Sequence, residues 1–185
     1  MKLILASGSP RRSELLSREG FDFEVIPSAA EELLGGAMEP VALSVENARR
    51  KAVLVREQTQ GGVVLGADTV VVVEGETLGK PADLNEGREM LRKLSGRWHE
   101  VITGVALLAE GREKLFHEIS RVRFHSLSED AITDYHSRVQ VLDKAGGYAI
   151  QEGGEMIIAE LDGSRDNVMG LPVKLVQEEL AQLTS

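Results

Sequence analysis

Apolar positions along the chain recur with two different periods, and the two periods predict strands and helices. The continuous valine-rich run Val63–Val73 predicts a central strand that is buried on both faces. After Pro40, apolar residues recur at steps of three and four, which predicts a helix with one buried stripe. The members of that stripe are Val41, Val45, Ala48, Ala52 and Val55. Asn47 and Lys51 flank the stripe, where they could face a cleft.

Shorter segments carry their own start and stop signals. Strands are predicted at residues 2–6, 21–26, 148–151 and 156–161, and a β-hairpin at 98–108 and 114–125. Helices are predicted from Ser9-Pro10 to about Gly20, from Asp83 to about Ser95, from Ser128 to about Arg138, and from Pro172 onward. Because strands and helices intermix and the hairpin is antiparallel, the predicted class is α/β with a mixed sheet.

Composition and charge narrow the class of protein. A chain of 185 residues predicts a single domain over residues 1–185, or two small lobes around one cleft. The chain has no cysteine, which excludes disulfides and cysteine-based zinc sites. Its net charge of −9 argues against nucleic-acid binding, which needs a basic surface. No apolar run reaches the ~18 residues of a membrane span, and the start makes a poor signal peptide. We therefore expect a cytoplasmic protein without a membrane partner.

The first candidate site is Ser7-Gly8-Ser9-Pro10-Arg11-Arg12, between the first predicted strand and helix. Free backbone N–H groups and the dipole at a helix N-terminus favour an anion there. Two guanidinium groups in the first turn strengthen that interpretation, because arginine can bind phosphate oxygens through two hydrogen bonds. Taken alone, an N-cap serine followed by two solvated arginines is the simpler interpretation.

The second candidate is an acid inside the valine-rich strand, in Gly66-Ala67-Asp68-Thr69. A buried aspartate is costly unless it is paired or binds a metal. A glycine inside a strand usually marks a bulge or a close approach of backbone. Together they favour an acid directed into a cleft over an aspartate that only makes a local turn bond.

Three weaker signals stand beside these two. Lys80, in Gly79-Lys80-Pro81, is a candidate phosphate contact or a common surface lysine. Glu31 and Glu32 could supply a magnesium ligand or form a solvated acidic pair. Gln151 ends a predicted strand that follows two glycines, and its amide could read the edge of a base; the alternative is an ordinary turn into a strand. The four histidines lack any metal-binding spacing.

Taken together, the chain resembles the Maf proteins, nucleoside triphosphate pyrophosphatases that are also called septum formation inhibitor homologues. The resemblance covers essentially the whole chain through the ordered motifs LILASGSPRRSELL, ENARRKA, LGADTVV, LGKP, LSGRWHEVITGVAL, DKAGGYAIQ and GSRDNVMGLP. It implies a Maf/ITPase-like fold, in which an elongated mixed sheet is flanked by helices and two lobes surround a central cleft. It also implies hydrolysis of a nucleoside triphosphate between its α and β phosphates, with release of the monophosphate and pyrophosphate.

The resemblance further implies a role for each candidate residue. Asp68 matches the general base, and Glu32 matches a metal-site carboxylate, with Mg²⁺ or Mn²⁺ as the expected cofactor. The residues alone do not separate a role for Asp68 as base from a role as metal ligand, and one carboxylate could do both. The phosphate-binding positions match Ser7, Arg11, Arg12, Lys51 and Lys80. The positions that distinguish the branch acting on dTTP and UTP match Arg12, Thr69 and Gln151, whereas the 7-methyl-GTP branch has Trp after the catalytic acid. A homodimer is also implied.

Two departures from the family pattern affect the expected site. Ala29-Ala30-Glu31-Glu32 replaces a stretch with Asp before the Glu, which concerns the metal ligands. Glu152 follows Gln151 where Gly is usual, which concerns the shape of the base pocket. The expected role is removal of modified pyrimidine triphosphates before they enter RNA or DNA. Two alternatives stay open: a nucleotide-sensing regulator of cell division without turnover, and a house-cleaning pyrophosphatase for purine nucleotides such as ITP and XTP.

Overall fold

A computed structural model describes residues 2–36 and 38–184 of the chain. The strands are β1 (Leu3–Leu5), β2 (Phe23–Val25), β3 (Val63–Val73), β4 (Glu76–Leu78), β5 (Trp98–Ala109), β6 (Arg112–Phe124) and β7 (Ile158–Asp162). The helices are α1 (Pro10–Arg18), α2 (Pro40–Arg56), α3 (Leu84–Leu94), α4 (Glu129–Arg138), α5 (Gly154–Ile157), α6 (Arg165–Met169) and α7 (Val173–Thr184). Within these ranges, no helix is both long enough and apolar enough to cross a bilayer.

The strands of the described chain form one mixed sheet of seven strands. Its order is β2-β1-β3-β5-β6-β7, and β4 pairs with the far end of β3. The pairs that β1 makes with β2 and β3 are parallel, whereas β3–β5, β5–β6 and β6–β7 are antiparallel. This sheet, flanked by helices, confirms the predicted α/β class and the bounds predicted for β3.

The long central strand β3 connects two hydrophobic cores. With 11 residues it extends for about 36 Å. At one end, Val63 and Leu65 pack with residues of β1, α1 and α7. At the other end, Val71 and Val73 pack with residues of α3 and α4. The cleft opens between the two cores, beside Asp68 and Thr69, in agreement with the two lobes that were expected.

Helix α2 packs closely on the opposite face of the sheet because two strand positions there are glycine. A Cβ atom at Gly66 would lie 2.1 Å from the carbonyl oxygen of Ala48, and one at Gly104 would lie 2.4 Å from backbone atoms of Ser44 and Val45. Neither position can accept a side chain without moving the helix. Gly66 therefore marks a close approach of backbone, as predicted, and it brings α2 within reach of the next residues of β3.

The buried stripe predicted on α2 was wrong in part. Val41 and Val45 are only half-buried, whereas the buried positions are Leu43, Ser44, Asn47, Ala48, Lys51, Ala52 and Val55. The helix is rotated so that small residues meet the two strand glycines and polar side chains meet Asp68. Hydrophobic spacing cannot reveal this rotation, because it predicts that polar side chains lie on the exposed face of a helix, including those that are in fact buried.

The strand predicted at residues 148–151 was also wrong. The segment follows a 3₁₀ turn at Ala145–Gly147, in which Gly146 and Gly147 have φ values of +71° and +69°. Tyr148 and Ile150 are buried because they pack into different cores, one on each side of the cleft. The strand predicted at 156–161 begins later, since α5 precedes β7. Strand β4 and helix α6 were not predicted.

Candidate active site

A cavity of about 380 Å³ lies between the two cores. Its walls come from the loop after β1, from α2 and β3, and from the segment after α4. It brings together every residue to which the resemblance assigned a role, whereas Glu31 does not line it: Ser7, Arg11, Arg12, Glu32, Lys51, Asp68, Thr69, Lys80 and Gln151. Among the described residues that line it, cationic side chains outnumber carboxylates by five to three, so an acidic protein presents a locally basic cavity.

Asp68 lies at the centre of the wall and is almost completely buried. Its Oδ1 accepts a hydrogen bond from Lys51 Nζ at 2.6 Å, and its Oδ2 accepts one from Asn47 Nδ2 at 3.2 Å. Both partners come from the face of α2 that the glycine contacts bring close to β3. The buried aspartate is therefore paired, as its cost in a buried strand requires.

Lys51 joins two carboxylates across the cavity. Its Nζ lies 2.7 Å from Glu32 Oε1 as well as 2.6 Å from Asp68 Oδ1, and Lys80 Nζ lies 3.5 Å from the same Glu32 oxygen. Partial burial opposes ionisation of Glu32, but the hydrogen bond from Lys51 and the charges of both lysines hold its pKa below the usual value. Glu32 is therefore ionised at neutral pH and directed at the same point as Asp68.

Asn47 is the site residue whose importance the sequence showed least clearly. Its Oδ1 accepts from the backbone N–H of Leu33 at 2.7 Å, and its Nδ2 donates to the Leu33 carbonyl at 3.1 Å and to Asp68. One amide thus fixes the loop that carries Glu32 to the strand that carries Asp68. The available signal was its place beside the apolar stripe, one helical turn before Lys51.

The loop after β1 presents the N-terminus of α1 to the cavity. Ser9 occupies the N-cap position and Pro10 begins the helix, as predicted, but the Ser9 side chain makes no capping hydrogen bond. Instead Ser7 Oγ accepts from the backbone N–H of Ser9 at 3.3 Å. The first turn contains no acidic residue. This leaves the positive end of the helix dipole available to an anion.

Arg12 is held inside the wall by three hydrogen bonds. Its guanidinium donates to the Gly170 carbonyl at 2.8 Å, to Ser7 Oγ at 2.9 Å and to Thr69 Oγ1 at 3.3 Å. Burial lowers the pKa of Arg12, and the charge of Asp68 opposes that shift. Because arginine has five N–H donors, two stay available to a ligand beyond these three bonds.

Thr69 is the next residue of β3 after Asp68 and belongs to the same network as Arg12. Its hydroxyl is 3.0 Å from that of Thr103, which itself donates to the Asn167 carbonyl at 3.1 Å. Since Thr103 has one hydroxyl hydrogen, Thr69 donates to Thr103 and accepts from Arg12. The orientation of Thr69 is thereby fixed from both sides.

The far end of the cavity is formed by residues 143–151. Arg11 reaches across to it, and its guanidinium donates to Asp143 Oδ2 at 2.8 Å and to the Asp143 carbonyl at 3.3 Å. Gln151 lines this end, and its Nε2 donates to Glu152 Oε1 at 3.2 Å. In the same segment, Tyr148 Oη lies 2.8 Å from Nε2 of the buried His99. Burial lowers the pKa of His99 to about 4.

The chemistry of the donor set fits a hard divalent cation that also binds a ligand. Two carboxylates, Asp68 and Glu32, converge on one point, which Lys51 Nζ marks. Within residues 2–36 and 38–184, no group of three or more His, Asp or Glu side chains is placed to hold a metal. Mg²⁺ commonly takes one or two protein carboxylates and completes its coordination with phosphate and water oxygens. Further ligands would therefore have to come from a bound anion and water.

The sequence of the chain is similar to those of one known protein family. The family model described as Maf-like protein matches residues 2–183. A Bacillus anthracis protein named dTTP/UTP pyrophosphatase is 44% identical over 181 residues, which cover 98% of this chain and 95% of that protein. An Akkermansia muciniphila protein of the same name is 48% identical over 176 residues, which cover 95% of this chain and 93% of that protein.

A solved structure shows the same fold at much lower identity. The Staphylococcus aureus Ham1 protein superimposes with a TM-score of 0.58, covering 98% of this chain and 99% of its own, at 15% identity. This likeness concerns the fold alone. With the family model matched over nearly its whole length, the chain belongs to the Maf-like protein family.

Proposed function

We propose that this protein hydrolyses dTTP and UTP between the α and β phosphates, releasing the nucleoside monophosphate and pyrophosphate. The observation that carries the proposal is the convergence of Asp68, Lys51 and Glu32 in one cavity, beside the N-terminus of α1. The names of the two relatives support the choice of dTTP and UTP. The expected role is to keep non-standard pyrimidine nucleotides out of nucleic acids.

The triphosphate would be bound mainly by charge and by the helix end. The N-terminus of α1 offers backbone N–H groups and its dipole. Arg12 offers the two N–H donors beyond its three internal bonds, and Lys80, whose side chain is more than half exposed, can turn toward a phosphate. Arg11 would exchange its contact with Asp143 for one with the ligand. Such fixed positive groups stabilise the charge that develops on a leaving pyrophosphate.

Mg²⁺ or Mn²⁺ would be held by Glu32 and Asp68, together with phosphate oxygens. Bound there, it supplies charge neutralisation on the phosphates and acidifies water. Lys51 now lies between the two carboxylates, so binding of a cation would require its ammonium to move toward the phosphates. A lysine has the flexible stem that such a movement needs.

Asp68 would accept the proton of the attacking water. One of its oxygens is oriented by Asn47 and the other faces Lys51. If Lys51 moves to the phosphates, that second oxygen becomes available to water. Asn47 keeps the carboxylate in place meanwhile, because its other hydrogen bonds attach it to Leu33. Placement of a base within hydrogen-bond distance of water is the geometric requirement for general base catalysis.

The base of the nucleotide would lie at the end of the cavity formed by residues 143–151. Gln151 has the paired donor and acceptor that can read the edge of uracil or thymine. Arg12 and Thr69, which the resemblance also assigns to specificity, are hydrogen-bonded to one another. We further propose a homodimer on the resemblance alone, and a single cytoplasmic domain on the length and composition of the chain.

The test is pyrophosphate release from dTTP, UTP, CTP, ATP, GTP, ITP and 7-methyl-GTP, each with Mg²⁺, with Mn²⁺ and with EDTA. We expect metal-dependent turnover that is fastest with dTTP and UTP. Asp162→Asn, at an exposed carboxylate on β7, serves as the matched control for substitutions of Asp68.

The possible outcomes separate the proposal from its alternatives. Turnover led by ITP would keep the chemistry and replace the pyrimidine assignment with the purine one. Metal-dependent binding of nucleotides with no release of pyrophosphate would contradict the enzymatic proposal and favour a nucleotide-sensing regulator.

A further inference from the structure

A chain of alternating charges runs along the outer end of the cavity and finishes on Gln151. Arg11 Nη1 lies 2.8 Å from Asp143 Oδ2, and Asp143 Oδ1 lies 2.9 Å from Lys144 Nζ. Lys144 Nζ lies 3.6 Å from Glu152 Oε1, the oxygen that accepts the hydrogen bond from Gln151 Nε2 at 3.2 Å. The side chain proposed to read the base is thus connected with one proposed to bind phosphate.

Lys144 is the fixed point of this chain. It is 5% exposed, lines the cavity and donates a hydrogen bond to the backbone carbonyl of Gln140. Because an ammonium group can only donate, it holds the carboxylates of Asp143 and Glu152 on either side of it. Glu152 is therefore kept beside Gln151, although its own side chain is 45% exposed.

The contact between Glu152 and Gln151 fixes which way the amide of Gln151 faces. An ionised carboxylate can only accept hydrogen bonds, so the end of the amide that meets it must be the NH₂ group. Turning the amide over would place its oxygen against a carboxylate oxygen and lose the hydrogen bond. Gln151 consequently offers a ligand its carbonyl oxygen and its second N–H in one fixed order.

That order of hydrogen-bond acceptor and donor is complementary to uracil and thymine but not to cytosine. Uracil and thymine present the N3–H donor next to a carbonyl acceptor, which is complementary to an amide oxygen followed by an amide N–H. Cytosine presents N3 as an acceptor next to an amino donor, so it requires the amide to be turned over. A site that hydrogen-bonds one pattern rejects the other because buried polar groups are left unpaired.

We propose that Glu152 is a positioning residue that makes the cavity prefer uracil and thymine over cytosine by fixing the amide of Gln151. The inference rests on the proposed function for the nature of the ligand. Neighbouring Gln151 supplies the contact with the base, and Glu152 acts only through it.

The test compares the wild type with Glu152→Gln, Glu152→Ala and Glu155→Gln. Glu152→Gln keeps the shape of the side chain, but its amide can both accept and donate, so Gln151 can face either way. Glu155 is an exposed carboxylate in α5, and its substitution controls for the loss of one negative charge. Binding of the non-hydrolysable α,β-methylene analogues of UTP and CTP is measured by calorimetry, and kcat and KM for UTP and CTP are measured separately.

We expect the ratio of the two analogue affinities to fall about three- to tenfold in both Glu152 variants, with kcat for UTP changed less than about twofold. The Glu155 control should keep the wild-type ratio. The inference is overturned if the ratio is unchanged in Glu152→Gln, if affinity for both analogues falls equally, or if the wild type binds both analogues equally. If the wild type hydrolyses no triphosphate, the proposed function fails, whereas the binding ratio still decides the role of Glu152.

Discussion

The two ends of the cavity are built from different kinds of structure. At the phosphate end, Asp68 lies on β3, Lys51 on α2 and Arg12 on α1, whereas the loop residues there are Ser7, Glu32 and Lys80. At the base end, Gln151 lies in a segment without helix or strand, between a 3₁₀ turn and α5. The proposed base, Asp68, is thus held by the core of the fold, whereas Gln151, proposed to read the base of the nucleotide, is held by its neighbours in sequence.

The proposed base and its lysine partner are also much less exposed to solvent than the carboxylate beside Gln151. The side chains of Lys51 and Asp68 are 10% and 9% exposed, whereas that of Glu152 is 45% exposed. Water and salt screen exposed charges strongly and buried charges weakly. Substitutions at the phosphate end should therefore change stability and rate more than those at the base end, where they should mainly change selectivity.

The largest effect on stability is expected from Gly66→Ala, which disrupts the phosphate end through the backbone. The new Cβ atom would lie 2.1 Å from the carbonyl oxygen of Ala48, so α2 must move away from β3. Overpacking of this kind costs about 1–3 kcal/mol and occasionally more. We expect a lower urea midpoint and, because α2 carries Lys51 and Asn47, a large loss of turnover.

Gly79→Ala is the matched control for that substitution. Nothing lies within 4 Å of a Cβ atom at Gly79, and its φ angle is not positive. Its urea midpoint should stay close to that of the wild type. Equal midpoints for both variants would show that the close approach of α2 to β3 does not depend on glycine.

An effect on stability of up to similar size, but without movement of the backbone, is expected from pH through His99, whose Nε2 is hydrogen-bonded to Tyr148 at the base end. The folded pKa is about 4 because of burial, whereas an unfolded histidine has a pKa of about 6.5. Between these values the unfolded state binds the additional proton, so stability falls as pH falls from about 6.5 to about 4 and then levels. The contribution amounts to at most about 3 kcal/mol.

The measurement is the free energy of unfolding in urea across that pH range, for the wild type and His99→Gln. The variant should lose less stability on acidification, since it has no group to titrate at this position. His125→Gln, at an exposed histidine, should behave as the wild type does. Parallel pH profiles for the wild type and His99→Gln would contradict the assignment of a buried neutral His99.

The smallest effect, and the most selective, is expected from Gln151→Ala. Loss of one or two hydrogen bonds to the base should lower kcat/KM for UTP and dTTP about tenfold, with smaller losses for the other nucleotides. Gln177→Ala, on an exposed position of α7, is the control. Equal losses for all bases would show that Gln151 supports the cavity without reading the base.

The sequence predicted the regular elements better than the irregular segment at the base end, for a physical reason. Val63–Val73 and the caps at Asp83 and Ser128 depend on local patterns that the chain itself displays, and the structure confirms them. The prediction for residues 148–151 was wrong because their apolar side chains are buried by two cores, not by strand neighbours. A run of apolar residues in the sequence does not show whether its side chains are buried by neighbouring strands or by two separate cores.

The hydrogen-bond partners of the polar side chains were likewise only partly predictable from the sequence. The sequence indicated that Asp68 must be paired, and the pairing with Lys51 is present. It did not reveal that Asn47 would join Asp68 to the backbone of Leu33, or that Thr103 would orient Thr69. Such contacts depend on the register of β5 against β3 and on the rotation of α2, which local sequence patterns do not encode.

The most direct test of the role proposed for Asp68 is Asp68→Asn, measured for turnover and for nucleotide binding in the same preparation. The amide keeps the size of the side chain but cannot accept a proton from water. We expect kcat for UTP to fall about 10²- to 10⁴-fold, with Asp162→Asn unaffected and binding of the α,β-methylene analogue retained. An Asp68→Asn enzyme with wild-type turnover would contradict the central claim that this carboxylate carries the chemistry.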